Sequence, residues 1–194
     1  MDRRKFTVAA LAALVGVAAT PAMAKPYFNP ETNLWEEREF APGGRRFTKI
    51  EREIVPYETN FKVGTIVVET TERRLYLVLP DGKALKYGIG VGRDGFTWTG
   101  QHKITRKAEW PDWTPPPEMR KRVPDLPAHM KGGPKNPLGA RALYIGSTLY
   151  RLHGTSEPWT IGQAVSSGCI RLTNEDIIDL YDRTKVGALV VVHH

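Results

Sequence analysis

A single cysteine, Cys169, stands in the run Ser166-Ser167-Gly168-Cys169-Ile170-Arg171-Leu172 of this 194-residue chain. A lone thiol makes no disulfide within its own chain, so three readings compete for it: a small core residue, a metal ligand or a nucleophile. Free cysteines are among the most buried residues, which favours the first. The neighbours argue the other way, because Ser-Ser-Gly is a polar, flexible stretch and a glycine lets a ligand approach the backbone closely. A metal site needs three or four ligands at characteristic spacings. The sequence has no CxxC, no HExxH and no histidine pair at i,i+4, and the adjacent His193 and His194 would face opposite sides of a strand. No metal and no cofactor is therefore expected.

A nucleophilic thiol requires a base. Of the five histidines, His193 and His194 are terminal, His129 lies in a proline-rich stretch and His102 opens a strand. His153 ends a strand, is followed by Gly154-Thr155, and precedes the cysteine by 16 residues. The connection GTSEPWTIGQAVSSG has enough Gly, Pro and Ser to fold back, so a strand-end imidazole can face a loop-borne thiol. Arg171 lies two residues past the thiol, where a permanent cation would hold a substrate carboxylate or lower the thiol pKa. A helix begins a few residues later, and its free N–H groups would also favour a thiolate.

These residues need a scaffold, and the rest of the chain supplies one. GTIVVET (64–70) and RRLYLVLP (73–80) read as a β-hairpin, and ALKYGIGVG (84–92) follows the Asp81-Gly82 turn as a third strand. QHKITRKAEW (101–110) gives a fourth. ALYIG (142–146) and LYRLHG (149–154) form strands around a short turn, with Arg151 and His153 on one face and Tyr150 and Leu152 on the other. TNEDIIDLYDRTK (173–185) is the one good helix. Thr173 and Asp176 fit its N-terminal cap, Ile177, Ile178, Leu180 and Tyr181 make its apolar stripe, and Lys185 sits where a cation is favoured. GALVVV (187–192) closes the chain as a buried strand. The pattern is an all-β core with a helical addition.

Between the fourth and fifth strands, Trp110 to Pro137 holds eight prolines and two tryptophans, Trp110 and Trp113. A loop of this length inside a compact domain is functional or disordered, and the tryptophans argue against plain disorder. Residues 25–60 read as an extended leader, with the domain proper, 61–194, starting near Phe61. Residues 1–24 have a basic start, an apolar run from Val8 to Ala19 and a small-x-small end at Ala22-Met23-Ala24. That reads as an export signal, with cleavage expected after Ala24, and Arg3-Arg4 leaves open a twin-arginine or an ordinary secretory route. Cleavage would take away Asp2, Arg3, Arg4 and Lys5, leaving 170 residues with a formal charge of +5. The mild basicity suits an anionic environment, and the scattered Lys and Arg residues exclude a recognisable nucleic-acid module.

The pairing of His153-Gly154-Thr155 with Ser166-Ser167-Gly168-Cys169-Ile170-Arg171-Leu172 resembles the signature of the L,D-transpeptidase catalytic domain, the YkuD-type fold. The similarity runs from about Gly64 to Val192 and includes GIGVGRDGFTWTGQHKI, which resembles the family's strand–Thr-x-x-Gly–strand segment. It implies a mainly β, mixed β-sandwich-like catalytic domain with one helix after the nucleophile. It also implies an exported, periplasmic acyltransferase on peptidoglycan stems. Cys169 would attack the carbonyl of the third residue, meso-diaminopimelate, and release the terminal D-Ala. An amine of a second stem, or of an outer-membrane protein or lipoprotein, would then resolve the thioester. Water as acceptor would make the same site an L,D-carboxypeptidase or endopeptidase, and a non-catalytic wall-binding module is the third reading.

In that scheme His153 takes and returns the proton, and backbone N–H groups at Gly168 and Cys169 stabilise the oxyanion, at about 3–4 kcal/mol per donor. Gly154 has no side chain to orient the imidazole, so a backbone carbonyl would be the third member of a triad. Ser166, Ser167 and Arg171 would position the stem, and Trp159, with the two tryptophans of the insert, would wall the thioester. Position 167 departs from the pattern: many members carry His there, and Ser167 removes one candidate for holding substrate or oxyanion.

Overall fold

The computed structural model describes residues 49–93 and 98–194, preceded by four short strands, β1 (Lys25–Asn29), β2 (Leu34–Arg38), β3 (Phe40–Ala41) and β4 (Arg45–Arg46). β1 pairs antiparallel with β2, and β3 with β4. The expected export signal lies outside the described residues, as does Thr97 of the Thr-x-x-Gly segment.

The main sheet begins with β5 (Glu53–Pro56), followed by β6 (Ile66–Glu69), β7 (Arg74–Leu79) and β8 (Lys83–Gly88). After these come β9 (Val91–Gly92), β10 (Gly100–Glu109), β11 (Arg141–Ile145) and β12 (Arg151–His153). The last strands are β13 (Ala164–Ser166), β14 (Ile170–Arg171) and β15 (Leu189–His193). Nine of these form one mixed sheet in the order β14-β12-β11-β10-β15-β6-β7-β8-β5. β15 is parallel to β6 and antiparallel to β10, and β12 is parallel to β14.

The sheet curls because β10 serves two halves. Residues 100–103 pair with β15, residues 104–109 pair with β11, and the register breaks between Ile104 and Arg106. A bulge of that kind bends the strand and re-aims the residues beyond it. The curl closes where Gly90, just after β8, exchanges two backbone hydrogen bonds with Arg171 of β14, at 2.9 and 2.8 Å. β9 then runs parallel to β13. The expected mainly β, mixed architecture is what the chain adopts.

Alternation explains the core. Val190, Ile66, Leu77 and Leu85 lie in one cross-strand row, and Val192, Val68, Leu75 and Tyr87 in another. All are buried, in one cluster with Leu143, Leu152 and Ile170 of the other half-sheet and with Ile177 and Leu180 of α2 (Asn174–Arg183). Burying each such side chain contributes about 1.5–3 kcal/mol. Thr173 caps α2, its Oγ1 accepting from the Asp176 N–H at 3.1 Å, as the sequence pattern implied. Tyr87 donates to Asp179 Oδ2 at 2.7 Å, tying the helix to the sheet. Lys185 falls beyond the helix, and Lys107 takes the expected role at its C-terminus, donating to the Tyr181 and Thr184 carbonyls.

Three other expectations change. The sheet starts before Phe61, because β5 pairs with β8. Lys49 and Arg52, just ahead of it, form ion pairs with Glu175 and Asp176 of α2. The stretch 84–92 is two strands, since the chain leaves the β7 ladder after Gly88 to reach β14 and β13. The proline-rich insert carries a short helix, α1 (Pro117–Arg122), and its ends are fastened. Trp113 bridges to Met130, and the buried Asn136 donates to the Pro111, Met130 and Lys131 carbonyls while accepting from the Leu138 N–H.

Candidate active site

Register places the site residues. In the parallel pair β12–β14, Leu152 stands opposite Ile170 and His153 opposite Arg171. Leu152 and Ile170 point into the core, at 0% and 2% exposure. Their neighbours along each strand must face the other way. His153 and Arg171 therefore share the outer face, and Arg151, one step of the alternation earlier on β12, shares it too. Cys169 immediately precedes β14, and its thiol feels Arg151 and Arg171, the same two guanidinium groups that act on the His153 ring. The alternation read from sequence for Arg151 and His153 is what the strand shows. Across β11, Ala142 is opposite His153 and Tyr144 opposite Arg151.

The imidazole is buried and oriented. His153 Nδ1 lies 2.6 Å from the Gly154 carbonyl oxygen. A carbonyl only accepts, so Nδ1 carries the proton and Nε2 keeps its lone pair. This backbone carbonyl occupies the place where a third side chain would stand. Burial, with Arg171 and then Arg151 adding repulsion, lowers the His153 pKa to about 3 despite the Gly154 hydrogen bond. The ring is neutral at physiological pH.

The thiol is also neutral at rest. Burial pushes the Cys169 pKa above its ordinary value, and the opposing pull of Arg151, through its charge and its backbone N–H, and of Arg171 does not overcome it. The expectation that the helix start would hold a thiolate is corrected: β14 separates Cys169 from α2, and Thr173 already caps the helix. Cys169 Sγ also lies 3.9 Å from the Leu149 carbonyl.

The loop around the thiol is built by Ser166 and Gly168. Gly168 has φ +103°, a left-handed conformation that a side chain would strain. The buried Ser166 hydroxyl donates to the Cys169 carbonyl at 2.5 Å and accepts from the Gly168 N–H at 3.2 Å. The Gly168 N–H is therefore engaged inside the loop, not turned toward a substrate. The Gly154 N–H is likewise committed, to the Arg141 carbonyl at 3.1 Å. Of the backbone groups expected to meet an oxyanion, the Cys169 N–H remains. Ser167 is half-buried beside it.

Arg171 is held by Glu157 at 3.4 Å. Trp159 is half-buried in a 3-10 turn, Pro158–Thr160, where its carbonyl accepts from Gln163 Nε2 at 3.0 Å. The aromatic residue that does grip the nucleophile loop is Trp98. Its Nε1–H donates to the Gly168 carbonyl at 2.8 Å, and its ring stacks on Tyr150 with centroids 4.7 Å apart. Sequence reading missed Trp98, Arg151 and Asn174. Arg151 was legible as a residue on the His153 face, whereas Trp98 joins the site only through a contact across 70 residues.

Asn174, the first residue of α2, is 3% exposed and links three segments. Its Oδ1 accepts from the Ala140 N–H at 2.8 Å, and its Nδ2 donates to the Thr155 carbonyl at 2.9 Å. A Cβ at position 154 would collide with that Oδ1, which is why the residue after His153 is glycine. Among the described residues, no group of three or more His, Cys, Asp or Glu is placed to hold a metal ion. No helix among them is long and apolar enough to cross a membrane.

A neutral imidazole with a free Nε2 and a half-buried thiol thus lie against the same two arginines on a curled β scaffold, a pair of groups suited to general-base and nucleophile chemistry. The chain belongs to the family defined by the L,D-transpeptidase catalytic domain, YkuD, whose family model matches residues 64–192. It is 44% identical over 135 residues to "Probable L,D-transpeptidase ErfK/SrfK" of Escherichia coli (strain K12), covering 66% of this chain and 43% of that protein. It is 40% identical over 161 residues to "Probable L,D-transpeptidase YbiS" of the same strain, covering 78% and 51%. The chain thus spans about half the length of these curated relatives. Among solved structures, an L,D-transpeptidase from Mycobacterium smegmatis shares the fold at 19% identity, with TM-score 0.52 over 67% of this chain and 58% of that one. A Brucella melitensis structure named as a probable carnitine operon oxidoreductase is 45% identical, with TM-score 0.52 over 75% of this chain and 95% of that one.

Proposed function

We propose that this protein is an exported, periplasmic L,D-transpeptidase that acts on peptidoglycan stem peptides through a thioester on Cys169. The observation that carries the reading is that His153 and Cys169 lie against the same two arginines, Arg151 and Arg171, with the imidazole tautomer fixed by the Gly154 carbonyl so that Nε2 is available as the base. In the first half-reaction Sγ attacks the carbonyl carbon of the third stem residue while its proton passes to His153 Nε2. The tetrahedral intermediate collapses, the C–N bond breaks, and the leaving amine takes the proton from Nε2. In the second half-reaction an amine attacks the thioester, the C–S bond breaks, and the thiol recovers its proton. General-base assistance of this kind contributes typically ~10²–10⁴-fold.

An amine acceptor is favoured over water by the aromatic stack of Trp98 on Tyr150, which is fastened to the Gly168 carbonyl next to the thiol. The acceptor is a second stem or an amine of an outer-membrane protein or lipoprotein. The test is incubation of the purified protein with a tetrapeptide donor and each acceptor, with products identified by mass. A new amide between donor carbonyl and acceptor amine is expected. Release of the terminal residue with only a free acid left on the donor would assign a carboxypeptidase instead, and no reaction would assign a binding module.

A further inference from the structure

Arg151 differs from the other arginine beside the thiol. Arg171 meets the Glu157 carboxylate, as Arg141 and Arg183 meet those of Glu109 and Asp179. Arg151 has no acidic partner among the described residues. Its Nη2 donates to the Leu149 carbonyl at 3.2 Å, and its buried Nε, like those of Arg141 and Arg171, has no hydrogen-bond partner. Its guanidinium lies 5.5 Å from the Tyr144 ring centroid, whose other neighbour, Arg106, is at 3.5 Å. Register puts Arg106, Tyr144 and Arg151 in one row, and the Cys169 thiol lies against its Arg151 end, meeting the Arg151 backbone N–H and feeling its charge. A half-buried, uncompensated cation beside a nucleophile is costly unless a ligand supplies the counter-charge.

We propose that Arg151 is a specificity-determining residue that binds a carboxylate on the acyl half of the donor. The inference rests on the thioester reading above. His153 must deliver a proton to the leaving amine, so the leaving half of the substrate lies over the His153–Arg171 row. The acyl half lies over Cys169 and Arg151. The third stem residue, meso-diaminopimelate, carries a carboxylate at the end of its side chain, and lysine is the same residue without it. The residue before it offers a second carboxylate source on the same half.

The experiment compares three donor tetrapeptides: one with meso-diaminopimelate, one with lysine in its place, and one with meso-diaminopimelate and the free carboxylate of the preceding residue amidated. Thioester formation is followed by intact mass in wild type, Arg151→Gln and Arg151→Lys. Binding of the same stems is measured by calorimetry in Cys169→Ala and in Cys169→Ala/Arg151→Gln. A charge-assisted pair predicts a wild-type preference for one carboxylate-bearing stem of about tenfold or more. Arg151→Gln should erase that preference and Arg151→Lys should keep part of it. The stem that loses the preference names the source of the carboxylate. A general effect on the thiol would slow all stems equally and leave the ratio unchanged, which would overturn the proposal. If no stem acylates the wild type while Cys169→Ala still prefers the carboxylate, the proposed function fails and the role of Arg151 stands. If acylation occurs with the same preference in wild type and Arg151→Gln, the reverse holds.

Discussion

Cys169 and His153 are both neutral at rest, and this sets how the site should respond to pH. The burial of the thiol raises its pKa above its ordinary value, so the thiolate fraction is small at pH 7. Alkylation of Cys169 by iodoacetamide should therefore climb steadily through pH 8 without a plateau. A plateau with a midpoint near pH 6 would instead indicate a preformed thiolate–imidazolium pair. His153→Gln should slow thioester formation by about 10²–10⁴-fold. Stability carries the same signature. The folded protein keeps His153 neutral down to about pH 3, against 6.5 for a free side chain. The unfolded chain therefore binds more protons between those values, and stability is lost as the pH falls through that window. Thermal melts from pH 7 to pH 4 should fall less for His153→Gln than for wild type; equal slopes would place the titration elsewhere. The candidate pair was legible in the sequence because nucleophile and base each carry a local motif. Arg151 and Trp98 carry none, since one enters by strand register and the other by a hydrogen bond from a distant loop.

Two short strands and one helix start hold those residues in place. The N-terminus of α2 was readable from Thr173 and Asp176, because capping is a local exchange of hydrogen bonds. β14 was not, since a two-residue strand has no periodicity and exists only because β12 and Gly90 flank it. The bulge in β10 and the break after Gly88 were hidden for the same reason: each is a choice of partner, not of propensity. Asn174 shows what an element boundary contributes to chemistry. Its amide fixes the Thr155 carbonyl, and with it the peptide that presents the Gly154 carbonyl to His153. Asn174→Ala leaves the Ala140 N–H and the Thr155 carbonyl without partners, at about 1–3 kcal/mol for each buried group. As a positioning residue, its loss should lower the acylation kcat by about tenfold or more with little change in KM. Asn174→Asp, which keeps the acceptor for Ala140 but not the donor to Thr155, should fall between. A lower melting temperature with an unchanged kcat would reduce Asn174 to a purely structural clamp.

At the scale of the molecule, the curl brings β14, one end of the sheet, against Gly90 just after β8, so Cys169 sits beside a seam. The strands that make the core were visible as apolar runs. Their order was not, because β15, last in sequence, inserts between β6 and β10. The insert at 110–137 is fastened at its base by Asn136. As a semi-rigid arm it is expected to shape the acceptor side of the cleft. Shortening it should leave thioester formation intact and raise the share of hydrolysis over transfer, since more water reaches the thioester. Asn136→Ala should shift the ratio the same way while lowering the melting temperature. A shortened insert that keeps the wild-type ratio and fails to acylate would place the arm on the donor side.

The most direct test of the central claim is intact-protein mass spectrometry on wild type and Cys169→Ser, each mixed briefly with a tetrapeptide donor and quenched in acid. In wild type alone, the expected mass gain equals the donor less the released terminal amino acid, mapped to Cys169 and removed by hydroxylamine. Turnover without that adduct, an adduct on another residue, or full activity in Cys169→Ser would contradict it.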